Sequence, residues 1–282
     1  AAINGSAIFA GGPWYCAESN IEYAQYKCMD QTLGAPETAK LVALTNTDAV
    51  MGLIDSPANL ANSKVYLFSG KDDTVVDQRV MKSLLSYYMS FIPAPANIKA
   101  DFNVNAEHCM PTTDYGEDCP TLGSPYIGKC GFDGAGIALQ HLYGDLVAPT
   151  GKGIDANLFA FDQTPFFVNT GLTSIGKIGY IYIPTACQTK SAASCRLHMS
   201  FHGCEQNLEL IGNAYAAHSG YNAWAEANNI VVIYPYATVS KLVPYNPKGC
   251  WDWWAYTGVD YGVKSGVQMK FAWSLAQTVL GA

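Results

Sequence analysis

Short runs of hydrophobic residues alternate with stretches of helical spacing along the first half of the chain. Strands are predicted at Ser6–Phe9, Lys64–Phe68 and Ile98–Val104. Helices are predicted at Val80–Phe91 and Ile137–Tyr143. Strands that alternate with helices in this way are typical of βαβ units and a mostly parallel sheet.

A polar stretch without period, residues 144–177, follows this half and predicts a long connector or a set of loops. The alternation then resumes, with strands predicted at Gly179–Ile183, Leu197–Phe201 and Ile230–Tyr234. The last of these strands is hydrophobic at every position, as in strands that are buried on both faces. Helices are predicted at Ala214–Ala227, with Gly220 as a candidate break, and at Gly266–Leu280.

Composition and charge exclude several classes of protein. The 282 residues are 49% hydrophobic and 14% charged, which is incompatible with a disordered chain. The net charge is −7 and no lysine or arginine cluster exists, so we expect no nucleic-acid partner. No apolar run reaches the length of a membrane span. The first residues lack the features of a signal peptide and the chain does not start with Met, so we expect a processed or trimmed chain.

Nine cysteines point to an oxidising compartment. Three pairs lie close together in loop-like sequence: Cys16 with Cys28, Cys119 with Cys130, and Cys187 with Cys195. None has the spacing of a zinc or thioredoxin site, so we interpret them as disulfides of a secreted or periplasmic protein. The alternative is a set of reduced cysteines in a cytosolic enzyme. The odd number leaves one thiol over.

Two predicted strands of the first half end in titratable residues. Asp72 and Asp73 follow the strand Lys64–Phe68, and His108 follows the strand Ile98–Val104. Strand, Asp, helix, strand, His is the order of the catalytic acid and base in an α/β-hydrolase. A neutral imidazole is the natural base for a serine nucleophile, and a buried Asp fixes its tautomer. Taken singly, the Asp pair could equally form a turn and the His could be a loop residue.

The strand Leu197–Phe201 runs into His202-Gly203-Cys204. In α/β-hydrolases a backbone N–H in such a loop forms half of the oxyanion hole, and here the Cys204 N–H would be the donor. We interpret His202, together with His141, His198 and His218, as structural. No cluster of His, Asp and Glu has metal-ligand spacing, so no metal or cofactor is expected.

The segment Gly249–Tyr256 holds three tryptophans, Trp251, Trp253 and Trp254. So many aromatic side chains suit an apolar groove or a surface that adsorbs an apolar polymer. A local core cluster anchored by Cys250 is the equal alternative. No G-x-S-x-G nucleophile elbow occurs anywhere, so the sequence offers an acid, a base and an oxyanion donor without an attacking atom.

At these residues the chain resembles the single-domain extracellular poly(3-hydroxybutyrate) depolymerases. The matching segments are IFAGGPWYC (Ile8–Cys16), FSGKDDTVV (Phe68–Val76), EHCMP (Glu107–Pro111), SPYIGKCGFDGAGIA (Ser124–Ala138), LHMSFHGCEQ (Leu197–Gln206), GYNAW (Gly220–Trp224) and GCWDWW (Gly249–Trp254). They run through nearly the whole chain, and HGC-x-Q followed by GCWDW is specific.

The resemblance implies a circularly permuted α/β-hydrolase in which residues 1–282 form a single catalytic domain. Its mostly parallel central sheet would have helices on both faces. Permutation explains why the acid and base precede the oxyanion strand, and it places the nucleophile just upstream of residue 1, within a segment of about 30–40 residues. Asp73 matches the family's catalytic Asp, His108 its catalytic His and Cys204 its oxyanion residue. The family's disulfides map to the three pairs above and to Cys204 with Cys250, which leaves Cys109 as the spare.

We therefore expect a secreted, monomeric serine esterase that cleaves polyhydroxyalkanoate, most simply poly(3-hydroxybutyrate). His108 would deprotonate a serine that the sequence does not contain, and Trp251, Trp253 and Trp254 would contact the polymer. One alternative is a feruloyl or acetyl esterase of plant polysaccharide. Another is a non-catalytic protein that binds polymer granules.

Overall fold

A computed structural model describes residues 3–168, 171–189 and 195–281. The strands are β1 (Gly5–Phe9), β2 (Lys64–Phe68), β3 (Ile98–Asp101), β4 (Met110–Thr112), β5 (Glu117–Asp118), β6 (Ile127–Lys129), β7 (Leu158–Asp162), β8 (Ile178–Tyr182), β9 (Arg196–Met199) and β10 (Ile230–Tyr234). The helices are α1 (Ile21–Tyr26), α2 (Thr38–Val50), α3 (Gln78–Met89), α4 (Gly134–Tyr143), α5 (Leu208–Ile211), α6 (Ala214–His218), α7 (Tyr221–Asn228) and α8 (Val267–Leu280).

The first sheet has the order β1-β2-β3, and both pairings are parallel. Successive side chains of β2 point to opposite faces and pack against different helices. Val65 and Leu67 pack with Leu84 of α3. Tyr66 and Phe68 pack with residues of α4 on the other face. Helices on both faces of this sheet agree with the α/β-hydrolase expectation.

The second sheet has the order β7-β8-β10-β9 and is mixed. The central strand β10 pairs in parallel with β9 and antiparallel with β8. Its five residues are buried, and α7 and α8 cover opposite faces through Trp224 and Phe271. The fourth strand, β7, lies in the stretch that the sequence predicted as a connector. That stretch contains the apolar run LFAFD, which pairs antiparallel with β8.

Helix α2 was not predicted, because only Leu41 and Thr45 of its thirteen residues are buried and its apolar stripe is weak. The predicted break at Gly220 is confirmed: α6 ends at His218, α7 begins at Tyr221, and Gly220 has φ +96°.

A small parallel sheet, β4-β6-β5, contains the segment that follows the predicted base. No helix in the described ranges is long and apolar enough to cross a membrane.

Four disulfides join Cys16 to Cys28, Cys119 to Cys130, Cys187 to Cys195 and Cys204 to Cys250. All four predicted pairings are confirmed, and Cys109 is the buried cysteine that forms none. The fourth disulfide ties the loop after β9 to the tryptophan segment, across 46 residues of sequence.

Strands β1 and β9 each have one edge that no described strand pairs with. Both strands, or the residues that follow them, line the same cleft of about 270 Å³. From β1 the lining includes residues 7–10, and from the β9 side residues 198 and 200–204. His108 also lines it. The two sheets therefore present bare edges to a common space beside the predicted base.

Candidate active site

Asp73 lies in the loop that follows β2, and backbone groups hold its carboxylate. The N–H groups of Val75 and Val76 donate to Oδ1 at 2.9 and 2.8 Å. The other oxygen, Oδ2, lies 3.0 Å from His108 Nδ1, and the side chain is 1% exposed. Asp72 is exposed. Of the two neighbouring aspartates, the structure therefore brings Asp73 to the histidine.

The loop that carries Asp73 comes very close to the loop that carries His108. Lys71 N–H donates to Val104 O and Asp72 N–H to Ala106 O, at 2.8 and 3.1 Å. A Cβ on Gly70 would collide with the carbonyl oxygen of Ala106. Glycine at this position therefore permits the approach that joins acid and base.

Glu107 is a member of this site to which the sequence analysis gave no role. Its side chain is buried and accepts the N–H of His108 at 2.5 Å, the N–H of Thr74 at 3.2 Å, and the Thr74 hydroxyl. It thus joins the residue after Asp73 to the backbone of His108. The sequence signal was its position within the EHCMP segment, but its partner Thr74 lies 33 residues away, and sequence spacing does not reveal that contact.

His108 has the geometry of a general base. Its Nδ1 faces the Asp73 carboxylate and therefore carries the proton, which leaves the lone pair on Nε2 to accept one. The side chain is 28% exposed and borders the cleft. Cys109 beside it cannot replace a serine as nucleophile. Burial, and after it the carboxylates of Asp73 and Glu107, raise the pKa of its thiol to about 12, so the thiolate is not populated at neutral pH.

Cys204 lines the same cleft, and its backbone N–H is the predicted oxyanion donor. Among the described residues this N–H has no hydrogen-bond partner, whereas the N–H groups of Gly203, Glu205 and Gln206 all have one. The Cys204 N–H is therefore available to an oxyanion, as the sequence analysis proposes. The disulfide to Cys250 fixes the loop covalently.

The other histidines have structural environments. His202 is buried, accepts the Ala237 N–H on Nε2 at 3.0 Å and donates from Nδ1 to Gly203 O at 2.6 Å. Burial lowers the pKa of His202 to about 4 and does the same for His198 of β9. Both are therefore neutral at pH 7. His141 lies 2.9 Å from Asn97 O through Nε2, and His218 stacks on Tyr115.

The three tryptophans are divided between two places, and none is among the residues that line the cleft. Trp251 packs beside His202 and against Phe201, which does line the cleft, with ring centroids 5.6 and 5.3 Å away. Trp253 and Trp254 contact each other and pack on the Cys16–Cys28 cluster. Asp252 holds this turn by accepting the N–H groups of residues 254–257.

The cleft also contains one serine among its described lining residues, Ser200. Its hydroxyl lies 3.0 Å from the Tyr215 hydroxyl, and its N–H donates to Ile233 O. The hydrogen bonds of His108 do not include it. No group of three His, Cys, Asp or Glu side chains in the described ranges is arranged to hold a metal ion.

No family model matches the chain. It is 46% identical over 271 residues to a poly(3-hydroxybutyrate) depolymerase of Delftia acidovorans, covering 94% of this chain and 52% of that protein. It is 34% identical over 277 residues to a polyhydroxybutyrate depolymerase of Talaromyces funiculosus, covering 94% of this chain and 78% of that protein. The chain thus spans about half the length of the first relative and more than three quarters of the second.

Two solved structures have the same fold. A PHB depolymerase with a serine-to-alanine substitution, complexed with an R3HB trimer, superposes with a TM-score of 0.88 at 32% identity. That match covers 98% of this chain and 87% of the other. The crystal structure of PHB depolymerase from Penicillium funiculosum gives 0.86 at 32% identity, over 97% of this chain and 86% of the other.

Proposed function

The chain belongs to the poly(3-hydroxybutyrate) depolymerase family, and we propose that it is the acid–base and oxyanion part of a secreted serine esterase that hydrolyses poly(3-hydroxybutyrate). The observation that carries the proposal is the cleft: it brings together the Asp73–His108 pair, a Cys204 N–H that has no partner among the described residues, and two strand edges that no described strand pairs with.

The nucleophilic serine comes from a strand that pairs with both β1 and β9. A bare edge exposes a row of N–H and C=O groups, and burying it without a partner costs several hydrogen bonds. One strand between β1 and β9 would satisfy both rows and merge the two sheets. A serine at its carboxyl end would lie between His108 and Cys204. We assign this strand to a segment that precedes residue 1 in the natural polypeptide.

The reaction follows from these positions. His108 Nε2 takes the serine proton as the oxygen attacks an ester carbonyl, while Asp73 stabilises the imidazolium that forms. The Cys204 N–H donates to the oxyanion of the tetrahedral intermediate, together with an N–H beside the serine. His108 then gives its proton to the leaving alkoxide, which departs as an alcohol and leaves an acyl-serine. Water attacks this ester with His108 as base and releases a 3-hydroxy acid end.

The wall of the cleft suits an uncharged polyester. Its described lining residues include no Asp, Glu, Lys or Arg, and Ile8, Phe9, Met110 and Phe201 contribute apolar surface. Trp251 extends this wall behind Phe201, and Trp253 and Trp254 are proposed to contact the polymer beyond it. Four disulfides suit an extracellular enzyme, and we propose that it acts as a monomer. No observation favours the plant-polysaccharide esterase or the non-catalytic granule-binding protein.

The test uses the natural polypeptide as secreted. It is treated with a fluorophosphonate probe, the labelled peptide is located by mass spectrometry, and clearing of a poly(3-hydroxybutyrate) suspension is compared with release from feruloyl and acetyl esters. We expect a label on a serine N-terminal to residue 1, clearing of the polyester, and loss of both in His108→Ala. A label on any serine of residues 1–282, or turnover of the aryl and acetyl esters alone, would overturn the proposal.

A further inference from the structure

Gln206 is a buried amide whose side chain joins two loops of the cleft. Its Oε1 accepts the N–H of Gly203 at 2.8 Å. Its Nε2 donates to the carbonyl oxygens of Pro125 and Tyr126, at 3.1 and 3.0 Å. The side chain therefore satisfies one donor and two acceptors of the main chain, and it is 6% exposed.

These contacts fix the peptide that carries the oxyanion donor. The Gly203 carbonyl and the Cys204 N–H belong to one planar trans peptide and point in opposite directions. His202 Nδ1–H and the Gln206 N–H both donate to this carbonyl, at 2.6 and 3.3 Å. The Gln206 side chain holds the preceding N–H of Gly203. With the peptides on both sides of Gly203 held, the direction of the Cys204 N–H is determined.

The same side chain connects this peptide to the strand that follows the base. The Tyr126 carbonyl accepts the N–H of Met110 at 2.9 Å as well as the Gln206 amide. Met110 begins β4, two residues after His108. A short hydrogen-bonded path thus runs from the oxyanion peptide through Gln206 and Tyr126 to the segment of His108.

We propose that Gln206 is a positioning residue that aims the Cys204 N–H at the oxyanion and sets its place relative to His108. The inference rests on the proposed esterase function. Gln206 lines the cleft, but three main-chain groups occupy its amide, so we assign it no contact with the substrate. Loss of its amide would therefore leave binding of the ester intact and would weaken stabilisation of the transition state.

Gln163 provides a matched control. It is fully buried, its Oε1 accepts the Tyr236 N–H at 3.0 Å, and its Nε2 donates to the carbonyls of Gly176 and Tyr236 at 2.7 and 3.0 Å. Gln163→Met therefore removes the same number and kind of main-chain hydrogen bonds as Gln206→Met, at a residue that does not line the cleft. Both variants are made in the natural full-length enzyme, and kcat, KM and Tm are measured with p-nitrophenyl butyrate.

We expect Gln206→Met to lower kcat by about 10²-fold, with KM changed less than about twofold, because oxyanion donors act on the transition state. We expect Gln163→Met to lose a similar amount of Tm and to keep kcat within about twofold. Equal loss of kcat in the two variants, or an unchanged kcat in Gln206→Met, would overturn the inference. A parent enzyme that does not turn over the ester, or an active His108→Ala, would overturn the proposed function and this inference with it.

Gln206→Glu covers the case in which Gln206→Met does not fold. An ionised carboxylate can accept the Gly203 N–H but cannot donate to either carbonyl, whereas the protonated acid can accept that N–H and donate its one O–H to one of the two carbonyls. We expect the ratio of its kcat to that of the parent to rise as pH falls from about 8 to about 6, because burial among acceptors favours the protonated acid. A ratio that does not change with pH contradicts the positioning role.

Discussion

The two sides of the cleft are built from different chemistry. On the side of the first sheet, carboxylate side chains do the positioning: Asp73 contacts His108, and Glu107 accepts the backbone N–H groups of both loops. On the side of the second sheet, neutral groups and a covalent bond do it: His202 and Gln206 hold Gly203, and a disulfide anchors Cys204.

The two sides differ because one holds the proposed base and the other holds the proposed oxyanion donor. A base needs an adjacent negative charge when it becomes an imidazolium, so carboxylates belong there. An oxyanion needs a donor in surroundings that hold no competing negative charge, so neutral amides and a covalent link suit that side. Changes of charge should therefore affect the acid–base side, and reduction of the disulfide should affect the oxyanion side.

The largest expected effect separates two neighbouring aspartates on the acid–base side. In the natural enzyme, Asp73→Asn should lower kcat by about 10⁴-fold, because the amide no longer holds the correct tautomer of His108 or stabilises its cation. Asp72→Asn changes the same charge one residue away on an exposed side chain and should change kcat less than twofold. Turnover of p-nitrophenyl butyrate measures both. An equal loss in the two variants would show that net charge in this loop matters, rather than the contact with His108.

The second prediction concerns the disulfide that anchors Cys204 on the oxyanion side. Replacing Cys204 and Cys250 together by Ser opens a loop of 46 residues and should lower the free energy of unfolding by about 4 kcal/mol in the chain-entropy model. The same change at Cys187 and Cys195 opens a loop of 8 residues and should cost about 2.5 kcal/mol. Denaturant unfolding measures both, and kcat should fall only in the first variant. If kcat is unchanged after loss of the Cys204–Cys250 bond, the disulfide does not position the Cys204 N–H.

Acid should also weaken the oxyanion side, through two buried histidines. His198 and His202 have pKa values of about 4 in the folded protein, against about 6.5 in the unfolded chain. Between these pH values the unfolded chain binds protons that the folded chain does not. The free energy of unfolding is therefore unaffected by these histidines above about pH 6.5 and decreases as pH falls towards 4. Each histidine should lower the free energy of unfolding by about 2 kcal/mol when the pH falls from 7 to 5.

The variant His198→Phe isolates this effect. It removes one titrating group from β9 and should reduce the loss of unfolding free energy between pH 7 and pH 5 by about 2 kcal/mol, as measured with denaturant at both pH values. If the variant loses as much stability on acidification as the parent, His198 is not protonated on unfolding in this range.

The contact between Asp73 and His108 could be predicted from the sequence, and the reason is physical. Asp73 and His108 follow consecutive parallel strands, so the carboxyl ends of β2 and β3 bring them together. Side-chain bonds such as those of Glu107 to Thr74 and Gln206 to Tyr126 join residues 33 and 80 positions apart, and no periodicity records them.

Strand direction was also beyond the sequence. Hydrophobic runs predict that β8 and β10 are strands, but a buried strand reads the same whether its neighbour is parallel or antiparallel. The second sheet is mixed because β10 pairs antiparallel with β8 and in parallel with β9. Its outer strand β7 was missed because its side chains are partly or fully exposed and lie within a polar stretch. The position of the tryptophans was likewise open, since the sequence could not decide between a core cluster and a polymer surface.

The smallest effect concerns those tryptophans and compares their two places. Trp251 lies behind Phe201 on the oxyanion side, whereas Trp253 and Trp254 lie on the Cys16–Cys28 cluster. We expect Trp251→Leu to raise KM for a soluble 3-hydroxybutyrate oligomer by roughly two- to tenfold, the range of one aromatic contact. Trp253→Leu and Trp254→Leu should leave this KM unchanged and lower adsorption to polyester granules by a similar factor. The kinetics of hydrolysis of the soluble oligomer give KM, and a granule-binding isotherm gives the adsorption. If all three variants change KM and granule adsorption equally, the three tryptophans bind the polymer as one surface, and the two places do not differ in their role.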